Sequence, residues 1–217
     1  MAKKNLTEIV FIIDRSGSMA GLEADTIGGY NSFIERQKKE EGEALVSAVL
    51  FSNNSEVIHD RIPLDKVPPM TDKEYYVTGC TALMDAMGDA IKHIKNVHKY
   101  AREEDVPEKT IFVITTDGME NASRKYSSGE IKKLVKAQTE AGWEFLFLGA
   151  NIDAVETAGR YGIAEDRAVE YCNDSVGLDL NYEVIGETVS AMRCARDRRI
   201  DGRWKEKIER DHMKRKH

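Results

Sequence analysis

The sequence predicts an α/β protein in three layers, with a doubly wound, mostly parallel six-stranded sheet and one antiparallel edge strand. Apolar runs such as Ile9–Ile13 and Thr110–Thr116 have the length and composition of strands buried on both faces. These runs alternate with amphipathic segments of helical length, an order typical of a parallel sheet with helices on both sides. One tight turn, Asn53-Asn54, joins two neighbouring strands as a hairpin, which predicts the antiparallel strand at an edge.

Four elements make up the first part of the chain. The first helix carries apolar residues at helical spacing and contains Gly28 and Gly29, each of which costs about 1 kcal/mol relative to alanine inside a helix. We interpret these glycines as a position of close packing against the sheet. In chain order, the predicted elements are strand 8–14, helix 21–40, strand 44–52 and edge strand 56–62.

The second part continues the alternation after a turn-rich surface segment, residues 63–78. Ser127 and Glu130 have the spacing of a capping box, and Asp153 can cap a further short helix. A last long helix is predicted to begin at Asp174 or Ser175. Between the surface segment and that helix, the predicted elements are helix 82–103, strand 109–116, helix 128–141, strand 143–149, helix 154–161 and strand 167–172.

The composition is typical of a soluble globular protein, with 41% hydrophobic and 32% charged residues. No apolar run approaches the ~20 residues of a membrane-spanning helix. No secretory signal follows the N-terminal lysines. The three cysteines, Cys80, Cys172 and Cys194, are odd in number and include no Cys-x-x-Cys pair, which argues against a disulfide framework or a zinc ribbon. We therefore expect a cytoplasmic protein that does not associate with membranes.

The charge is unevenly distributed along the chain. The net charge is −6, yet residues 186–217 carry 11 Lys and Arg against 6 Asp and Glu. We therefore predict a domain over 1–185 and a basic helical extension over 186–217, docked through Trp204 and Ile208. The acidic body disfavours nucleic acid as a ligand, because phosphate binding needs basic surface.

Three oxygen-bearing side chains follow the first predicted strand at alternate positions: Asp14, Ser16 and Ser18. A tight turn at the carboxyl end of a strand can direct such side chains at one point, and Gly17 carries no side chain to crowd it. Hard divalent cations prefer oxygen ligands. In a doubly wound sheet, ligands bind beyond the carboxyl ends of the strands, at the point where the strand order reverses. The residues alone therefore predict a cation site at the rim of the sheet.

The spacing Asp14-x-Ser16-x-Ser18 after a buried strand resembles the metal-ion-dependent adhesion site of von Willebrand factor type A domains, a family with a Rossmann-like fold. Two further pieces of the family pattern occur in order. Thr81 lies in a Gly-x-Thr-Ala-Leu context where a helix starts, and Asp117 lies at the tip of a later buried strand. The resemblance implies that the three hydroxyls contact the metal directly, whereas the two aspartates act mainly through water or alternate between direct and indirect contact.

The resemblance covers residues 5–185 and extends to the stand-alone bacterial or phage-type members, which share the motifs found here at Asp14–Met19 and Gly28–Phe33. It implies a protein-binding module that depends on Mg²⁺ or Mn²⁺ and has no catalysis of its own. Because few anionic side chains reach the ion, an acidic residue of a protein partner can complete its coordination shell.

Two other functions are compatible with parts of the sequence. One is a Mg²⁺-dependent phosphoryl-transfer hydrolase with Asp14 as nucleophile, although no phosphate-binding loop and no general base are evident. The other is a nucleic-acid adaptor that acts through the basic extension. Near the site, Arg15 either faces the cleft or is solvated, whereas Glu120 and Asn121 are interpreted as polar loop residues rather than as site residues.

Overall fold

The computed structural model describes residues 3–194 and 200–215 and contains one six-stranded sheet covered by helices on both faces. The strands are β1 (Lys3–Asp14), β2 (Glu43–Phe51), β3 (Ser55–Pro63), β4 (Pro107–Thr116), β5 (Glu144–Gly149) and β6 (Ala168–Glu170). The helices are α1 (Glu23–Gln37), α2 (Leu83–Tyr100), α3 (Ser128–Glu140), α4 (Ala154–Arg160), α5 (Ser175–Cys194) and α6 (Glu206–Arg215). None of the helices in these two stretches is both long and apolar enough to cross a membrane.

The strand order is β3-β2-β1-β4-β5-β6, and only the pairing of β2 with β3 is antiparallel. This confirms the predicted fold class. The chain leaves β1 toward β2 on one side and later returns to its other side as β4, so β1 and β4 flank a topological switch point. Ile13 pairs with both Leu50 and Thr115, which places the carboxyl ends of β1, β2 and β4 at one edge.

The core lies on both faces of the sheet because successive residues of a strand point to opposite sides. On one face, Phe11 packs edge-on against Tyr30 and Phe33 of α1, and α5 covers the same cluster. On the other face, Val10 and Ile12 belong to a second cluster with residues of α2, α3 and α4. Burial on both sides explains why the central strands read as continuous apolar runs.

Strand β1 begins at Lys3, five residues before the predicted start at position 8. The early part is polar, and its pairing is irregular: the register shifts between Lys3 and Thr7, and Asn5 has a φ of 64°. Glu8 is nevertheless fully buried, because its carboxylate accepts hydrogen bonds from Arg61 and is bonded to His98. The polar composition and irregular pairing of the residues before position 8 explain why the sequence predicts the start of β1 too late.

The two glycines of α1 have different surroundings. A β-carbon on Gly29 would lie 2.1 Å from the ring of Tyr182, so α1 and α5 approach each other closely there. The interpretation that this glycine packs against the sheet is wrong: the contact is between two helices on the same face. A β-carbon on Gly28 would meet nothing within 4 Å, and nothing in the structure explains that glycine.

Two predicted caps are confirmed. Ser127 and Glu130 form a reciprocal capping box at the start of α3, and the carboxylate of Asp153 accepts a hydrogen bond from the Glu156 N–H at the start of α4. These local bonds satisfy N–H groups that have no partner within the helix. The three cysteines are free thiols.

The C-terminal segment packs on the domain. The Trp204 indole donates to the Asp166 carbonyl at 2.8 Å, and Ile208 is buried in the same core cluster as α5, which confirms the two predicted docking residues. Helix α5 is continuous across positions 185 and 186, where we placed the boundary of the extension. That division stays a prediction. Arg196, Arg198 and Arg199 of the extension lie outside the described residues.

Candidate metal centre

The turn after β1 brings the first three predicted residues together. The Ser16 N–H donates to Oδ1 of Asp14 at 2.7 Å, and the hydroxyl oxygens of Ser16 and Ser18 lie 3.1 Å apart. Gly17 opens a single 3₁₀ turn, and its N–H donates to the Gly79 carbonyl at 3.0 Å. A β-carbon at position 17 would lie 3.4 Å from that carbonyl oxygen, which is van der Waals contact, so the turn packs closely against residue 79 without excluding a side chain.

Asp117 follows β4 and meets this turn across the switch point. The Ser18 hydroxyl donates to Oδ1 of Asp117 at 2.5 Å. The Thr116 hydroxyl donates to Oδ2 of Asp14 at 2.7 Å, which links the ends of β1 and β4 directly. Asp14 and Asp117 are each only 1% exposed. Two buried carboxylates from neighbouring strands therefore share one hydrogen-bonded cluster with serine hydroxyls.

Thr81 is brought to the same edge by its neighbours along the backbone. Its N–H donates to the side-chain oxygen of Asn121 at 2.9 Å, and its carbonyl accepts from the Asn121 N–H at 3.0 Å. The next residue, Ala82, donates to the Ser52 carbonyl at the end of β2. A β-carbon at Gly118 would lie 3.5 Å from the Ser18 hydroxyl and 3.7 Å from that of Thr81, so glycine leaves the space beside both hydroxyls open.

The loop after Asp117 positions Thr81 and the start of α2. Helix α2 has no side-chain cap of its own, and Oε2 of Glu120 instead accepts from the Met84 N–H at 2.8 Å. Oε1 of the same carboxylate accepts from the Ser123 N–H at 2.7 Å, which closes the loop on itself. Glu120 and Asn121 thus act on backbone groups, which confirms their interpretation as loop residues.

Arg15 is neither solvated nor free to reach a ligand. It is 6% exposed, and its guanidinium donates to Glu56 of β3 at 2.8 Å and to the Glu74 carbonyl at 3.2 Å. Its charge also lies 4.8 Å from the centre of the Tyr76 ring. Both interpretations of Arg15 drawn from the sequence are wrong, because the pairing depends on a residue of the edge strand that the spacing does not reveal.

The electrostatics of the cluster favour a cation. Burial raises the pKa of Asp14, against the lowering effect of hydrogen bonds from Ser16 and Thr116, and the neighbouring Asp117 raises it further. Burial likewise raises the pKa of Asp117, although Ser18 and Asn173 donate to it. Desolvation disfavours both charged carboxylates, and a divalent cation would stabilise them.

The oxygen donors present fit Mg²⁺ or Mn²⁺. These ions prefer hydroxyl, carboxylate and water oxygens, and the cluster offers three hydroxyls and two carboxylates without a thiol or an imidazole. Over residues 3–194 and 200–215, no group of three or more His, Cys, Asp or Glu is placed to hold a metal. A site built on two carboxylates and hydroxyls agrees with that finding.

Three residues of the cluster escaped the sequence analysis. Thr116 binds Asp14, the Tyr75 hydroxyl donates to the Asp14 carbonyl at 2.7 Å, and the Asn173 amide donates to Oδ2 of Asp117 at 2.9 Å. Thr116 had one available signal, its position beside Asp117 at the end of a predicted strand. Nothing in the spacing of the sequence identifies Tyr75 or Asn173.

The fold and the cluster together define a Rossmann-like α/β domain with a hydroxyl-rich cluster, a candidate cation site, at the switch point of its sheet. Solved structures of von Willebrand factor type A domains share this architecture, and the chain has their fold. Comparison with known protein families and with curated proteins gives no match at the sequence level.

Three of these structures illustrate the likeness. The vWF domain of the type V pili tip protein Mfa5 from Porphyromonas gingivalis superposes with a TM-score of 0.61 at 9% identity, over 88% of this chain and 97% of that domain. Proximal thread matrix protein 1 from the mussel byssus, solved with a zinc-occupied MIDAS motif, superposes with a TM-score of 0.59 at 16% identity, over 85% of this chain and 46% of that chain. A von Willebrand factor type A protein from Catenulispora acidiphila superposes with a TM-score of 0.57 at 13% identity, over 85% of this chain and 42% of that chain. The chain thus spans less than half of the latter two proteins.

Proposed function

We propose that this protein is a divalent-cation-dependent protein-binding module of the cytoplasm. The observation that carries the proposal is the convergence of residues from three separate parts of the chain at one edge of the sheet. Hydrogen bonds connect the turn after β1 with the end of β4, and Gly118 lies beside both the Ser18 and Thr81 hydroxyls. Ligands of doubly wound sheets bind at such an edge.

In the proposed site, the hydroxyls of Ser16, Ser18 and Thr81 contact Mg²⁺ or Mn²⁺, and the aspartates act mainly through water. The hydrogen bonds support these roles: both oxygens of Asp14 and both oxygens of Asp117 already accept from neighbouring groups. An ion with few direct anionic ligands stays electrophilic, and the carboxylate of a partner can complete its shell.

The surface around the cluster supports a protein as the partner. Met119 is 74% exposed two residues beyond Asp117, and Tyr76, which covers Arg15, is 49% exposed. Exposed large apolar side chains beside a polar centre are typical of protein interfaces. Mfa5 is a pilus tip protein and the byssus protein is a thread matrix protein, and both contain this fold in an assembly. We propose a partner that presents an acidic residue, with no membrane involved.

Two observations favour this proposal over the alternatives. A phosphoryl-transfer site would need a general base beside the nucleophile, whereas the oxygens of Asp14 accept from the Ser16 N–H and the Thr116 hydroxyl, neither of which is a base. As a nucleic-acid surface, the extension would need unpaired cations, whereas most of its described Lys and Arg residues are bonded to nearby acids, namely Arg203, Lys205, Lys207, Arg210 and Arg215. We therefore propose neither catalysis nor nucleic-acid binding.

Calorimetric titration with Mg²⁺ and with Mn²⁺ tests the proposal. Chelator-stripped wild-type protein should bind one ion, and Asp14→Ala should bind none. A capture experiment with and without chelator should then retain protein partners from a lysate only when the metal is present. Partner capture that survives both the chelator and Asp14→Ala would contradict the mechanism.

A further inference from the structure

The loop between β6 and α5 reaches the candidate metal centre, although no part of the sequence motif lies in it. The amide nitrogen of Asn173 donates to Oδ2 of Asp117 at 2.9 Å. Oδ1 of the same amide is buried and accepts no hydrogen bond from the residues that the structure describes. Asn173 thus donates to Oδ2 of a site carboxylate, and Ser18 donates to Oδ1.

The conformation of this loop is fixed on both sides of Asn173. The Asp174 N–H donates to the Cys172 carbonyl at 2.9 Å, and Oδ1 of Asp174 accepts from the Gly177 N–H at 2.9 Å. A β-carbon on Gly177 would lie 1.9 Å from the Cys172 carbonyl oxygen, so the loop lies tightly against the first turn of α5. A side chain held between two such anchors has little freedom to reorient.

The C-terminal helix α6 contacts the same loop. Nη1 of Arg215 donates to Oδ2 of Asp174 at 2.6 Å, and the rest of the guanidinium is bonded to Asp211 one turn earlier on the helix. The contacts therefore run without a gap from Arg215 to Asp174, through the adjacent Asn173, to Asp117. The end of the basic extension lies at the rim of the candidate metal centre.

We propose that Asn173 is a positioning residue of the metal centre and that α6 fixes it through the Arg215–Asp174 ion pair. The inference rests on the proposed metal binding and adds a determinant of its affinity. A serine that coordinates a cation through a lone pair must donate its proton elsewhere, and Ser18 donates to Asp117. Asn173 holds Oδ2 of Asp117 in place, and this keeps Oδ1, the acceptor, directed at the Ser18 hydroxyl. Such outer partners of metal ligands commonly change metal affinity by 10–100-fold.

Calorimetric titration with Mn²⁺ tests the role of Asn173. We expect Asn173→Ala to weaken Mn²⁺ binding by about tenfold and to leave the thermal unfolding midpoint of the metal-free protein unchanged. The control is Asn96→Ala, an exposed asparagine on α2, which should bind Mn²⁺ like wild type. Wild-type affinity in Asn173→Ala would overturn the proposal, as would a loss of affinity that only accompanies a lower unfolding midpoint.

A matched pair of variants tests the role of α6. Arg215→Gln should weaken Mn²⁺ binding by about two- to fivefold, the range of an exposed ion pair. Arg210→Gln removes the same charge from the same helix and should have no effect, because among the described residues this arginine is bonded to Glu206 and not to the loop before α5. In an Asn173→Ala background, Arg215→Gln should have no further effect, because the two act in series.

The possible outcomes separate this inference from the proposed function. Equal affinities for Arg215→Gln and Arg210→Gln, or additive effects of Arg215→Gln and Asn173→Ala, would contradict the coupling through α6. If wild-type protein binds no Mn²⁺, the proposed metal centre itself fails. Normal binding by wild type together with normal binding by Asn173→Ala overturns the positioning role alone.

Discussion

Strand β1 carries two buried carboxylates, and their surroundings differ in one decisive way. Glu8 is 0% exposed and is bonded to two basic side chains, Arg61 of β3 and His98 of α2. Asp14 is 1% exposed and, within the described part of the chain, accepts hydrogen bonds from two neutral groups, the Ser16 N–H and the Thr116 hydroxyl. Alternate residues of a strand point to the same face, and Glu8 and Asp14 are six positions apart. Both carboxylates therefore lie on the same face of the sheet, one with basic and one with neutral partners.

The difference explains which carboxylate is available to a ligand. A buried charge needs compensation, and Glu8 obtains it within the fold, from side chains that come from two other elements. The uncompensated charge of Asp14 is increased by Asp117, whose carboxylate also has neutral partners only. We infer that Glu8 contributes to the stability of the fold, whereas Asp14 is prepared for a cation from solution.

The largest expected effect is the loss of metal binding in Asp14→Asn. This substitution keeps the shape of the side chain and removes the charge, so Mn²⁺ affinity should fall at least about 100-fold, or about 2.7 kcal/mol. The metal-free protein should lose no more than about 1 kcal/mol of unfolding free energy, because only hydrogen bonds to neutral groups change. Calorimetric titration and denaturant unfolding measure the two quantities. Near-normal Mn²⁺ binding would remove the distinction between the two carboxylates.

Glu8→Gln should have the opposite profile. It leaves the guanidinium of Arg61, whose side chain is only 20% exposed, without its counter-charge. We expect the unfolding free energy to fall by about 2 kcal/mol, with Mn²⁺ affinity unchanged. Arg61 already has one buried nitrogen, Nη2, without a partner among the described residues. The control is Glu156→Gln, which breaks an exposed pair with Arg160 and should cost less than about 0.5 kcal/mol. A stability loss in Glu8→Gln no larger than in this control would refute internal compensation.

The same contrast shows what the sequence could and could not predict. The residues Asp14, Ser16 and Ser18 are close in sequence, and Thr81 and Asp117 occur in recognisable local contexts, so spacing predicts that they meet at one edge. The apolar runs predict the central strands because burial on both faces leaves a continuous signal. These predictions depend on local patterns.

The missed features depend on contacts between distant residues. Glu8 lies inside the predicted first strand, but its burial and pairing were not predicted, since its partners Arg61 and His98 lie on other elements. Arg15, after β1, pairs with Glu56 of β3, which lies on the far side of β2, and Asn173 meets Asp117 only after the sheet has formed. Neither periodicity nor a short motif records such pairings.

A smaller effect is expected from Ser18→Ala. The Ser18 hydroxyl lies 3.1 Å from that of Ser16 and donates to Asp117, so its removal deletes one proposed ligand and frees the carboxylate. We expect Mn²⁺ affinity to fall by about tenfold, less than in Asp14→Asn. The matched control is Ser190→Ala, whose hydroxyl accepts from Gln37 between α1 and α5, far from the cluster. Calorimetric titration of both variants checks the prediction, and equal affinities would exclude Ser18 from the centre.

The smallest effect concerns a third buried ionisable group, His59 of β3. It is 4% exposed, and its Nδ1 lies 2.9 Å from the Tyr30 hydroxyl, so its partner is neutral like those of Asp14. Burial lowers the pKa of His59, and the charge of Glu74 opposes this only in part. As the pH falls below about 6.5, the unfolded chain therefore binds a proton at this position that the folded chain does not, and the unfolding free energy decreases.

Denaturant unfolding of metal-free protein between pH 7.5 and pH 5, compared with His59→Gln, isolates this contribution. The variant should lose less stability than wild type over that interval, by an amount smaller than the effect of Glu8→Gln. The control is His93→Gln, at an exposed position, introduced into both wild type and His59→Gln. It should leave unchanged the difference between these two proteins in the unfolding free energy lost from pH 7.5 to pH 5. Parallel pH profiles for wild type and His59→Gln would mean that His59 is protonated inside the fold. In that case a buried ionisable group with a neutral partner can carry a charge without a ligand. The nearby carboxylate of Asp117 would then be the remaining reason to expect a cation beside Asp14.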